Sequence, residues 1–156
     1  MKVMQSAHKA RRKNPGMAEA TPYDLAFRRQ LDTYQPDLWQ HLELVPQLPP
    51  ETSAELLSYL LDLACRAQHV RNIELGRTAL LALPRAWLLK SMPAVAEPVV
   101  QRQDDWEYRR LLEVYWRLDR RLTHGLAERG RASSSPAIRE VADEFLERLV
   151  TNKSPY

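Results

Sequence analysis

Residue types able to do acid–base, nucleophilic or metal chemistry are few in this chain, and they are scattered. His8, His41, His69 and His124 never fall at the i, i+4 spacing that sets two ligands on one helix face. The one cysteine, Cys65, excludes a disulfide framework and a multi-thiolate metal site within the chain. It sits between Leu63, Ala64 and Ala67 and reads as a small buried hydrophobe, with Arg66 and His69 nearby in sequence to activate a thiol. Asp104 and Asp105 are a pair of acids, but they stand where a helix begins, and there carboxylates cap free amides. His69 closes the most apolar segment and is read as a C-terminal cap partner. Four isolated glycines form no phosphate cradle, and Ser133, Ser134 and Ser135 read as a linker. The expected catalytic, cofactor and metal sets are therefore empty, and the chain is read as no enzyme.

Surface chemistry offers more. Arg110, Arg117, Arg121 and His124 differ by seven, four and three positions, so on one continuous helix they share a stripe, flanked by Arg120. Trp106 and Trp116 lie off the apolar stripe of the same segment, free to cover a neighbouring helix or to anchor an interface. Trp106, Arg110, Trp116, Arg117 and Arg121 are the expected partner-binding residues, because aromatic and arginine side chains carry most interface energy. A solvated face partly neutralised by Glu113 and Glu128 is the alternative for the arginines.

The elements that position these residues follow from apolar spacing. In 156 residues, 44% are hydrophobic and 28% charged, a globular composition with room for one ordinary domain. No run of period-two alternation is present, so the expected class is all-α. Asp24 to Leu31 predicts a short helix, and Leu38 to Leu42 one or two further turns before the rigid link of Pro46, Pro49 and Pro50. Thr52 and Glu55 have the spacing of a capping box and open a helix carrying Leu56, Leu57, Leu60, Leu61 and Ala64, the expected central helix. A helix from Ile73 to Leu83 follows, then one from Arg85 to Val100 that Pro93 and Pro98 should kink or break. From Asp104 the stripe of Tyr108, Leu111, Tyr115, Leu118 and Leu122 predicts one long helix ending at Gly125 or Gly130. Ser135 caps the last helix, with Pro136 at its first position and Ile138, Val141, Ala142, Phe145, Leu146 and Leu149 on its apolar face.

Three of these helices open alike. Leu75-Gly-Arg77-Thr-Ala-Leu-Leu-Ala-Leu83, Glu107-Tyr-Arg109-Arg-Leu-Leu-Glu-Val-Tyr115 and Ala137-Ile-Arg139-Glu-Val-Ala-Asp-Glu-Phe145 superpose, their arginines 32 and 30 positions apart. The last of them resembles the opening helix of a HEAT-type repeat, and the resemblance covers residues 72–150. It implies a compact stack of antiparallel helical hairpins, each burying its apolar face on the next, with another protein as ligand. The interval is shorter than the roughly 40–47 residues of such repeats and matches only the shorter HEAT-like units. An irregular helical bundle buries the same residues and stays open as the other architecture.

Charge completes the reading. The net charge is +3 and the pI about 9.2. Lys2, Lys9, Arg11, Arg12 and Lys13 against Glu19 concentrate it in residues 1–21, read as a mobile basic tail, while the rest is close to neutral. Met17, followed by Ala-Glu-Ala-Thr-Pro, is a candidate start of translation. The tail has no apolar stretch of signal-peptide length, and no run approaches the ~18 apolar residues of a membrane span. The expected organisation is a tail (1–21), one helical domain (22–151) and a C-terminal tail (152–156) in a cytoplasmic protein without membrane partners. The expected function is an adaptor-like protein–protein interaction module, or self-association through the same face. Nucleic-acid binding through the basic tail and arginine stripe is the second expectation, and a small enzyme with an unrecognised site the third.

Overall fold

The computed structural model describes residues 18–156, so most of the expected basic tail lies outside the described residues. Those residues form seven α-helices and two short 3-10 segments, with no strand. Helix α1 (Pro22–Asp32) opens with a capping box: Thr21 Oγ1 accepts from the Asp24 amide at 3.2 Å, and Asp24 Oδ2 accepts from the Thr21 amide at 2.8 Å. Buried Phe27 and Leu31 hold it to the body. The 3-10 segments Leu38–Gln40 and Leu42–Gln47 bury Leu38 and Val45 completely.

Helix α2 (Pro50–Cys65) is buried as expected, its Leu56, Leu57, Leu60, Leu61 and Ala64 at most 1% exposed, but the central position expected of it falls to α5 (Asp105–Leu118), which touches more helices. It does not start at the expected capping box. Proline at its first position has φ already set and lacks only an amide that would have had no helical partner, so the helix begins before Thr52 is reached. Helix α3 (Val70–Ala82) returns along α2, and the close approach needs a glycine. A Cβ on Gly76 would lie 2.6 Å from the Ala64 nitrogen and 2.8 Å from the Leu60 oxygen.

Helix α4 (Arg85–Gln101) runs through both prolines without breaking, so of the expected kink or break the break does not occur. Pro93 and Pro98 both face solvent, where their rings displace no core packing, while Leu88, Met92, Ala96 and Val99 keep the opposite face buried.

The expected long helix is instead two. Helix α5 (Asp105–Leu118) stops at Asp119, whose backbone is extended (φ −161°, ψ 129°), and α6 (Arg120–Arg131) begins there. Asp119 Oδ1 accepts from the amides of Arg121 (2.8 Å) and Leu122 (3.1 Å), an N-cap that satisfies the new helix start. Helix α7 (Pro136–Thr151) packs along α6, with Ser135 as its cap and Asn152 ending it in the left-handed conformation at φ 53°.

The most extensive packing is between α2 and α3 and between α6 and α7, α1 rests on α3, and α5 lies among the others, touching α2, α3, α4, α6 and α7. Two of the three aligned arginines tie alternate helices: Arg77 on α3 donates to Glu113 on α5, and Arg109 on α5 grips Glu144 on α7 with two bonds of 3.1 and 2.6 Å. The third, Arg139, donates to the Ser133 carbonyl at the start of its own helix. No described helix is long and apolar enough to cross a membrane.

Candidate interaction surface

Trp106, in the first turn of α5, is 65% exposed, the most exposed aromatic side chain among the described residues. Its indole lies on the rim of a cleft of about 500 Å³ where the C-terminus of α2 meets the N-terminus of α5. Cys65, Arg66, Gln68, Asp104, Glu107 and Arg110 line the rest. The charges within it are largely paired: Glu107 accepts from Arg102 at 2.6 Å and faces Arg66 at 3.3 Å. Asp104 caps α5 by accepting from the Glu107 amide at 2.9 Å, the structural role its position predicts.

Arg110 is on this surface but is not free. Its guanidinium donates to the carbonyls of Cys65 (3.1 Å) and Ala67 (2.7 Å), closing the end of α2, and lies 5.7 Å from the Trp106 ring centre. The role expected of His69, capping the end of α2, therefore belongs to Arg110. His69 instead caps the start of α3, its Nδ1 accepting from the Arg71 amide at 3.2 Å, and stacks on Tyr23 at 3.8 Å.

Trp116 corrects the expected surface set. It is 6% exposed and packs edge-to-face on Phe145 with ring centres 6.2 Å apart, while the Arg120 guanidinium covers it at 3.4 Å. Because α5 is surrounded by other helices, its buried face is wider than the stripe read from the sequence, and position 116 falls inside it.

The arginine stripe is also corrected, because the turn at Asp119 interrupts the helix that would carry it. Arg117 stays on α5, with its guanidinium 4.3 Å over the ring of Tyr156, whose hydroxyl donates to the Glu113 carbonyl at 2.8 Å. Arg121 is exposed on α6. The turn nevertheless brings Arg117 and Arg121 to one shallow concavity of about 400 Å³, together with Arg120 and Arg85. Arg85 comes from the start of α4, and no local sequence signal connects it to this place.

Cys65 is fully buried, and burial pushes its thiol up to about 12, outweighing the nearby Arg77 and Arg110. Burial thus favours the neutral thiol over the nucleophilic thiolate. Among the described residues no group of three or more His, Cys, Asp or Glu side chains could hold a metal ion. No protein-family model, curated protein or solved structure matches this chain.

Proposed function

We propose that this protein is a non-catalytic docking module, a short stack of HEAT-like helical hairpins that grips another protein at Trp106. The observation that carries the reading is the exposed indole on the rim of the α2–α5 cleft. Tryptophan is the side chain most enriched among residues that dominate interface energy, since it removes a large apolar area from water with few torsions to freeze. The cleft beside it is lined by charges already paired within the chain, so a partner would not have to break ion pairs to seat against the ring. Support for the repeat architecture comes from Arg77 and Arg109, equivalent in the aligned openings, which reach Glu113 and Glu144 on the next helix but one.

The test is affinity capture from the native host with the tagged full-length chain and its Trp106→Ala variant, beside light scattering of both. A partner captured by the wild type and lost with Trp106→Ala, at unchanged melting temperature, supports the reading. A dimer that the substitution dissociates identifies the partner as a second copy. Capture and oligomeric state both indifferent to Trp106 would remove it.

A further inference from the structure

The concavity at the α5–α6 turn gathers Arg85, Arg117, Arg120 and Arg121 around a single carboxylate, Asp119. That carboxylate is already engaged by the amides of Arg121 and Leu122 and, at 3.4 Å, by Arg85. Arg117, Arg120 and Arg121 form no ion pair with a carboxylate among the described residues, in a molecule whose other arginines are mostly paired. Four arginines against one carboxylate leave this concavity with an excess of positive charge.

Three of these side chains are also held in place. The Arg120 guanidinium sits over the Trp116 ring at 3.4 Å and that of Arg117 over the Tyr156 ring at 4.3 Å. A ring contact restricts the torsions of a long guanidinium side chain without using all five of its N–H donors. Arg85 is fixed by donating to the Leu118 carbonyl. Donor forks that are fixed in advance lose less freedom on binding and suit the bidentate geometry of phosphate oxygens.

We propose that this concavity binds a compact phosphate group, free or as a monoester. The four arginines line one shallow concavity of about 400 Å³, an area suited to a single multiply charged group more than to the length of a phosphodiester chain. The site lies at the opposite end of α5 from Trp106 and stands or falls independently of the docking reading.

Calorimetric titration of the full chain with inorganic phosphate, pyrophosphate and glycerol 3-phosphate, at matched ionic strength, tests it. The Arg117→Gln, Arg121→Gln double variant is the control, since neither side chain bonds the carbonyls that hold the fold. Saturable one-to-one binding that weakens at least about tenfold in the variant, with an unchanged thermal melt, is expected, since each lost charge-assisted bond accounts for roughly that factor. Tighter binding of glycerol 3-phosphate than of inorganic phosphate would mark an ester ligand and the reverse a free anion, and either supports the site. No binding, or binding undiminished in the variant, overturns the proposal. So does binding confined to an oligonucleotide or to phosphatidylserine vesicles.

Discussion

Two neighbouring side chains on the first turns of α5 divide function from structure. Trp106 touches solvent over most of its surface, whereas Arg110 holds the Cys65 and Ala67 carbonyls. Trp106→Ala should leave the melting temperature within about a degree, because surface substitutions usually stay within ±0.5 kcal/mol. Arg110→Ala should cost about 1–3 kcal/mol, the worth of charged hydrogen bonds to otherwise unpaired carbonyls, and lower the melting temperature by several degrees. Equal effects in thermal denaturation would remove the distinction. Glycines give a second matched pair. At Gly76 a Cβ collides with the backbone of α2, and overpacking of about 1–3 kcal/mol exceeds the ~1 kcal/mol that alanine gains in helix propensity. At Gly125 nothing lies within 4 Å of the added atom. Gly76→Ala should therefore destabilise and Gly125→Ala stabilise by about 0.5–1 kcal/mol, opposite signs that chemical denaturation reads directly.

Among the elements, the α5–α6 junction decides most about the surface. Leu118 and Leu122 are four apart, so the apolar stripe runs straight across Asp119, and periodicity alone reads one helix where there are two. What breaks it is one carboxylate able to cap a new helix, a side chain equally at home on a helix surface. Asp119→Ala should cost about 0.5–2 kcal/mol as a lost N-cap. If the variant instead gains stability in a denaturant titration, the capping role assigned to Asp119 is wrong. The same reasoning explains α4: prolines are read from sequence as interruptions, but whether their rings meet solvent or core depends on a face that only packing assigns. The burial of α2 and the cap of α7 were legible because their signals are local: dense leucines in one case, and Ser135 before Pro136 in the other. The meeting of Arg85 with Arg117, Arg120 and Arg121 was not legible, since it joins residues more than thirty positions apart.

Across the whole molecule, ion pairs fasten helices that are distant in sequence, and their titration sets an acid limit. Arg129 on α6 donates twice to Glu97 on α4, at 2.7 and 2.5 Å, and with Gln101 holds that carboxyl down to about 2. Arg71 and then Thr21 hold Asp24 far below the usual carboxylate range, tying α1 to α3. Groups depressed in this way add stability that is complete above their unfolded values, about 4, and is lost as pH falls through the folded ones. The gap in melting temperature between wild type and Glu97→Gln should thus be open at pH 7 and close between about pH 4 and pH 2; a gap that stays constant with pH would show that the pair contributes nothing. The all-α architecture itself was readable because helical spacing is a property of each segment, whereas the width of the α5 core, and with it the burial of Trp116, depends on how many neighbours a helix acquires. A practical freedom follows from the sealed interior of α2. The sole native thiol should ignore maleimide dyes while the chain stays folded, so a cysteine introduced beside Trp106 or on the α5–α6 turn would take a fluorophore alone, and each proposed contact could be watched by resonance energy transfer without first removing the native sulfur.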